Sequence, residues 1–144
     1  KEMAASGWRP VLFSFDVFAS LSKVDGWGVF AKKDFKEGEV LHESPGRLIH
    51  GSDTEVSDDV FEIGWEDEDA DNLSILGLGF ATLHNHADVP NTAAYWEKSE
   101  KHGGAIIGTF YALRPIKAFE ELFISYGDEW WSGRDIEKTN ITAA

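Results

Sequence analysis

Cysteine is absent from the 144 residues. That removes disulfides, thiolate-ligated zinc and cysteine nucleophiles at once. No apolar run approaches the ~18 residues that a membrane-spanning helix needs, and residues 1–10 hold no apolar core of the secretory kind. A soluble protein with no membrane partner is therefore expected, in a compartment that the sequence leaves open. Positive charge is also scarce. Thirteen Lys and Arg stand against 26 Asp and Glu, a formal net charge of -13. Such a balance argues against binding nucleic-acid phosphates as the principal activity and favours either a basic partner or merely solubility. The scarcity is local as well: no Lys or Arg lies between Arg47 and Lys98, whereas ten acidic residues fall between Asp53 and Asp71. This stretch reads either as a solvated acidic loop or as a surface that draws in a Lys/Arg-rich substrate.

The length suits a single domain spanning residues 1–144. No repeat or low-complexity tract stands out. Val11, Phe13, Phe15 and Val17 alternate with Leu12, Ser14 and Asp16, the pattern of a half-buried strand. "GWGVFA" (26–31) reads as a glycine turn feeding a strand, and "KEG" (36–38) as a turn into a second strand, "EVLHE". Residues 52–72 read as a loop with a short helix near 60–65. Residues 73–83 fit one or two helical turns, weakened by Gly77 and Gly79. "AAYWEK" and "AIIGTFYAL" form a hairpin across "SEKHGG", "ELFISYG" a last strand, and 128–144 a tail of marginal helical character. Many short strands and few helices predict a mainly β domain.

The densest polar group is "LHNHADVPN" (83–91), with His84, Asn85 and His86 between apolar flanks. Polar side chains there need partners. On a strand His84, His86 and Asp88 would share a face and could hold zinc or iron as in cupin-like barrels, with His42, His50 or His102 completing the set. Pro90 and the turn chemistry of "ADVPN" interrupt such a strand. "DEDADN" (67–72) begins like a calcium loop. Asn72 and Leu78 stand where Gly and a bidentate Glu are required, which favours an ordinary acidic loop. No phosphate loop or nucleophilic triad can be assembled.

Three segments, in order, carry a more specific pattern: "GWGVFAKKDFKEGEVLHE" (26–43), "LGLGFATLHNHADVPN" (76–91) and "YALRPIKAFEELFISYGDEWW" (111–131). Together they resemble the SET-domain protein lysine methyltransferases, most closely the minimal viral and bacterial type without cysteine-rich flanking modules. The resemblance runs from about residue 23 to residue 131. It implies a SET fold of several small sheets in which the Asn-His segment is threaded under the final strand. It implies S-adenosylmethionine as cofactor, bound by Gly26, Trp27, Gly28, Asn85, His86, Tyr126 and Trp131. Pro90 and Asn91 complete the Asn-His motif, and Glu120 and Glu121 match the family's Glu-Glu. Tyr126 matches the active-site tyrosine, while Trp130 and Ile124 fall near the lysine channel. The chain departs from the family at Ala87 and Asp88 (commonly Ser-Cys), at Phe119 (commonly Gly), at Trp130 (often Tyr in the viral type) and at Ile124 (often aromatic). A positive φ at Phe119 would carry strain.

The chemistry so implied is methyl transfer from a sulfonium to the amine of a protein lysine. The partner is a basic segment of histone-tail type, and a homodimer is implied by analogy with the viral type. With a histone as substrate, the location is nuclear or on host chromatin. Two rivals remain: a catalytically inactive SET-like peptide-binding module, and the cupin-like metal enzyme.

Overall fold

A computed structural model describes residues 15–50, 60–62 and 73–132. Its strands in chain order are β1 (Val17–Leu21), β2 (Trp27–Ala31), β3 (Val40–His50), β4 (Val60–Glu62), β5 (Leu73–Gly77), β6 (Asn85–His86), β7 (Thr92–Ser99), β8 (Ala105–Ala112) and β9 (Glu121–Ile124). One short helix, α1 (Asp128–Ser132), follows. The mainly β expectation holds. Among the described residues, no helix is long and apolar enough to cross a membrane. The chain divides into two compact units.

The first unit holds the described residues of Ser14–His42, Leu83–Ala94 and Phe110–Ala144. Its four-stranded sheet has the order β1-β2-β9-β6. β1 and β2 form an antiparallel hairpin, Val17 opposite Ala31 and Leu21 opposite Trp27. Val17 opposite Ala31 and Val29 opposite Leu122 are buried together on one face, as the two-residue period of a strand allows. On the other face Phe18 and Phe30, directly opposite, stack at 5.6 Å. The alternation read from Val11 onward reaches the described residues only in part: Phe15 lies in a turn before β1 and is exposed. β6 runs parallel to β9, Asn85 beside Phe123 and His86 beside Ile124, in line with the threading that the resemblance implies.

Two segments of this unit follow the same backbone course, "AKKDFKEGEVL" (31–41) and "ALRPIKAFEEL" (112–122). Few identities survive between them, which hides the repeat in the sequence. The backbone makes it plain. Phe35 and Ile116 exchange both hydrogen bonds, at 2.7 and 2.9 Å. Gly38 N–H donates to Ala112 and, equivalently, Phe119 N–H donates to Ala31, each at 2.7 Å. Ala112 N–H donates to Glu39 and Ala31 N–H to Glu120, each at 2.9 Å. Both turns need a left-handed residue at the same place. Gly38 adopts φ 82 and Phe119, lacking glycine's freedom, adopts φ 71.

The second unit holds the described residues of Glu43–Thr82 and Tyr95–Thr109. The five-stranded sheet, order β4-β5-β3-β8-β7, supplies its frame. β5 pairs antiparallel with both β3 and β4. Residues 60–62 and 73–77 are therefore strands, where helical turns were expected. Gly77 and Gly79 disfavour a helix, and pairing with β3 takes up the backbone groups of 73–77. A 3₁₀ turn, Ala81–Leu83, is what remains of the helical expectation. The β7–β8 hairpin is as read, with a 3₁₀ turn at Glu100–His102. Gly46 and Gly108 make room for Trp96: a Cβ would come within 2.7 Å of its ring at Gly46 and 2.8 Å at Gly108. The acidic stretch, apart from the backbone of β4, and the calcium-like segment lie outside the described residues.

Candidate active site

The glycine turn is held by Asn85. Its buried side chain donates from Nδ2 to the carbonyls of Asp25 (3.0 Å) and Trp27 (3.1 Å) and to Glu121 Oε1 (3.1 Å). One amide thus ties the β1–β2 turn to β9. The turn allows this because Gly26 takes φ 43, a conformation in which side chains are strained. At Gly28 a Cβ would collide with the Glu121 carboxylate. Gly26, Trp27, Gly28, Asn85 and Glu121 accordingly meet at one place. Glu121 matched the family motif in sequence, but its bond to Asn85 had no signal there.

His86 is buried and bonded on both ring nitrogens. Nδ1 accepts the Tyr126 backbone N–H at 3.0 Å. Nε2 therefore carries the proton and donates to Asp88 Oδ1 at 2.9 Å. Asp88, a departure from the family pattern, fixes the imidazole. Ala87, the other departure, is fully buried and packs with Phe123 and Val24. The metal reading needed His84, His86 and Asp88 on one face. Instead His84 faces His42 while His86 and Asp88 bond each other. His102 lies in the second unit, with Nδ1 2.7 Å from Ser99 Oγ. Its Nε2 is 3.5 Å from Glu43, within ion-pair range but off the hydrogen-bonding line.

Tyr126 follows β9 and is half-buried. Its hydroxyl donates to the His84 carbonyl at 2.6 Å. A phenol oxygen that donates its proton retains lone pairs with which to accept. Around it lie the rings of His86 (5.4 Å), Trp130 (4.8 Å) and Trp131 (5.9 Å, nearly parallel). Trp130 and Trp131 meet edge to face at 4.7 Å from successive positions of α1, and Trp131 also meets His86 edge-on at 5.0 Å. The Trp131 indole N–H is buried and, among the described residues, finds no acceptor. Ile124 is buried in β9, beside His86 in the register. His86, Tyr126, Trp130 and Trp131 thus form one aromatic cluster.

Asn91, read only as the end of a motif, has a structural part of its own. It is 1% exposed. Nδ2 donates to the Glu121 carbonyl and Oδ1 accepts the Phe123 N–H, both at 2.8 Å. A side-chain amide here stands in for a neighbouring strand and satisfies the backbone of β9.

A model of the SET domain family matches residues 26–127, more than half of the chain. A Schizosaccharomyces pombe histone-lysine N-methyltransferase, H3 lysine-37 specific, is 43% identical over 56 residues; the match covers 39% of this chain and 35% of that protein. Among solved structures, a Plasmodium falciparum protein assigned as a histone methyltransferase aligns with TM-score 0.66 at 26% identity, over 83% of this chain and 99% of that one. A humanized mutant of the Chaetomium thermophilum Polycomb Repressive Complex 2, bound to the inhibitor GSK126, aligns with TM-score 0.60 at 27% identity, over 78% of this chain and 15% of that one. The matched family region contains the glycine turn, the Asn-His pair and the tyrosine, and so the chain belongs to the SET domain family.

Proposed function

We propose that the protein transfers a methyl group from S-adenosylmethionine to the ε-amine of a protein lysine, with residues 1–144 acting as one SET domain. The observation that carries this reading is the Tyr126 hydroxyl, whose proton is donated to the His84 carbonyl at 2.6 Å. Its oxygen is left as an acceptor at the edge of an aromatic cluster. An acceptor there orients a neutral amine through its N–H.

The residues fit the cofactor. Among the described residues Asn85 is bonded through Nδ2 alone, which leaves Oδ1 to accept from an ammonium. The Trp131 N–H, which has no acceptor among the described residues, calls for one, and indole offers a stacking surface to a base. Gly26, Trp27 and Gly28 would contribute backbone to the same site, and His86 would fix its wall through Asp88 and Tyr126. When bound, the cofactor supplies an electrophilic methyl group on a cationic sulfur. The protein's own residues do the remainder. Lysine has a free pKa of about 10.4, so a neutral amine at pH 7 costs roughly 4–5 kcal/mol. Tyr126, Trp130 and the buried Ile124 make apolar surroundings that disfavour the charged ammonium. The proton then leaves to solvent, and alignment of amine with methyl group supplies the rest of the acceleration.

The substrate we propose is a Lys-rich segment of histone-tail type. The net charge of -13 and the histone-directed relative support it, and a nuclear location follows from it. The test is transfer of radiolabelled methyl onto a panel of basic proteins, with calorimetry of S-adenosylmethionine binding beside it. Label on lysine is the expected result. Cofactor binding without transfer to any lysine would point to the inactive module, and absence of cofactor binding would sink both readings.

A further inference from the structure

His42 and His84 take no part in the chemistry proposed above, yet each is 1% exposed. Buried imidazoles are costly unless their nitrogens are engaged. These two face each other, Nε2 to Nε2, at 3.3 Å. The ring planes differ by 15°, and Phe110 lies nearly parallel to both, with centroids 4.4 and 4.8 Å away. Two ring nitrogens in contact tolerate one proton between them: one N–H donates and one bare nitrogen accepts. A second proton at that contact sets donor against donor, and the rings must part. Any such movement of His84 reaches the site directly, because its carbonyl receives the Tyr126 hydroxyl at 2.6 Å.

We infer that His42 and His84 are positioning residues that form a proton-sensitive seat for Tyr126. While the pair shares one proton, the His84 carbonyl holds the phenol. When both imidazoles are charged, both facing nitrogens carry protons, so the pair parts and the phenol is released. The kinetic consequence rests on the reading of Tyr126 as the residue that orients the amine; the seat itself does not. The titratable groups around the pair have their own partners. Tyr126 is bonded through its hydroxyl to the His84 carbonyl. His86 lies between the Tyr126 N–H and Asp88. Glu43, which follows His42 on β3, is approached by His102. None of these bonds lies on the Nε2–Nε2 line. The sign follows from the proton count: the seat holds until both imidazoles are charged, and so is lost as pH falls.

The test needs no assay. In the ¹⁵N-labelled full chain, imidazole nitrogens and the Tyr126 hydroxyl proton are followed by NMR from about pH 8 to about pH 5, the range in which histidine titrates. At the upper end, one facing nitrogen should be protonated and the other bare, with scalar coupling between them. On acidification the coupling and the protected hydroxyl signal should disappear in one step. Loss of either while the other persists overturns the seat. A His42→Leu/His84→Leu variant adds a kinetic arm. In the parent, log kcat should fall about two units per pH unit below that step, one from the substrate lysine and one from the pair. In the variant only the lysine's unit should remain, each proton contributing about tenfold per pH unit. Equal slopes in a folded variant overturn the positioning role. If the variant does not fold, the NMR of the parent decides. Absence of methyl transfer at every pH would strike the enzymatic reading, while the NMR titration would still decide for or against the seat.

Discussion

The hydroxyl of Tyr126 can be removed without disturbing its ring. Tyr126→Phe leaves the contacts with His86, Trp130 and Trp131 in place and strips one donor from the His84 carbonyl. A loss of about 1–2 kcal/mol of stability is expected from that carbonyl. The activity loss should be larger. If the oxygen orients the amine in the transition state, kcat falls on the order of 10²-fold while cofactor affinity stays near the parent's. Steady-state rates beside a cofactor titration check this, and a folded variant with parental kcat on every lysine substrate would sink the assignment. Trp131 makes the opposite prediction. Its indole stacks in the cluster with an N–H that has no acceptor among the described residues, so Trp131→Ala should weaken S-adenosylmethionine binding by about 1–3 kcal/mol. Calorimetry that finds unchanged affinity moves the stacking role to another aromatic.

At the scale of elements, the duplicated turns give a controlled comparison. Gly38 and Phe119 hold equivalent places at φ 82 and φ 71. Phe119 is 72% exposed and meets Phe18 only edge-on at 6.4 Å, so little packing offsets its strain. Phe119→Gly should therefore stabilise the protein by about 0.5–1 kcal/mol, strain relief exceeding the added freedom of the unfolded chain. Gly38→Ala should destabilise by a similar amount. Thermal melts of both, side by side, decide it; a lower Tm for Phe119→Gly would mean that the ring contributes more than the strain costs. Asn91 acts on β9 from outside its sheet neighbours. Asn91→Ala leaves the Glu121 carbonyl and the Phe123 N–H without the amide, at a cost of about 2–4 kcal/mol. Denaturant unfolding measures this, and a loss under 1 kcal/mol, about the worth of a single ordinary hydrogen bond, would show that β9 is held by its other neighbours alone.

At the scale of the whole molecule the governing quantity is charge. A protein of formal charge -13 that acts on a basic segment gains encounter rate from its field, screened beyond about 8–10 Å at physiological salt. The stretch from Asp53 to Asp71, free of Lys and Arg, is the densest source of that field. Changing Asp67 and Asp69 to Asn and Glu68 to Gln should raise KM for a basic peptide and flatten its salt dependence. If KM and its salt slope both match the parent's, the stretch is only a solvated loop.

Much of this was legible in the chain itself. Many short strand-like segments with few helices gave the mainly β class, and the order of "GWG", "NH" and "EELFISY" gave the family. Those signals are local or depend only on order, so they survive without coordinates. Other features needed the fold. Residues 60–62 and 73–77 are strands because partners elsewhere in the chain claim their backbone, and local propensity cannot see partners. Asp88 looked like a metal ligand until His86 was found bonded to it. Asn91 looked like punctuation until its amide was found on the backbone of β9. The repeat of 31–41 in 112–122 lies in the hydrogen-bond pattern more than in the residues, since a backbone can recur while side chains diverge. His42 and His84 stand far apart in sequence and touch at 3.3 Å. Composition and motif order determined what kind of protein this is; which polar atoms face each other was decided by long-range pairing, because burial allows each of them so few partners.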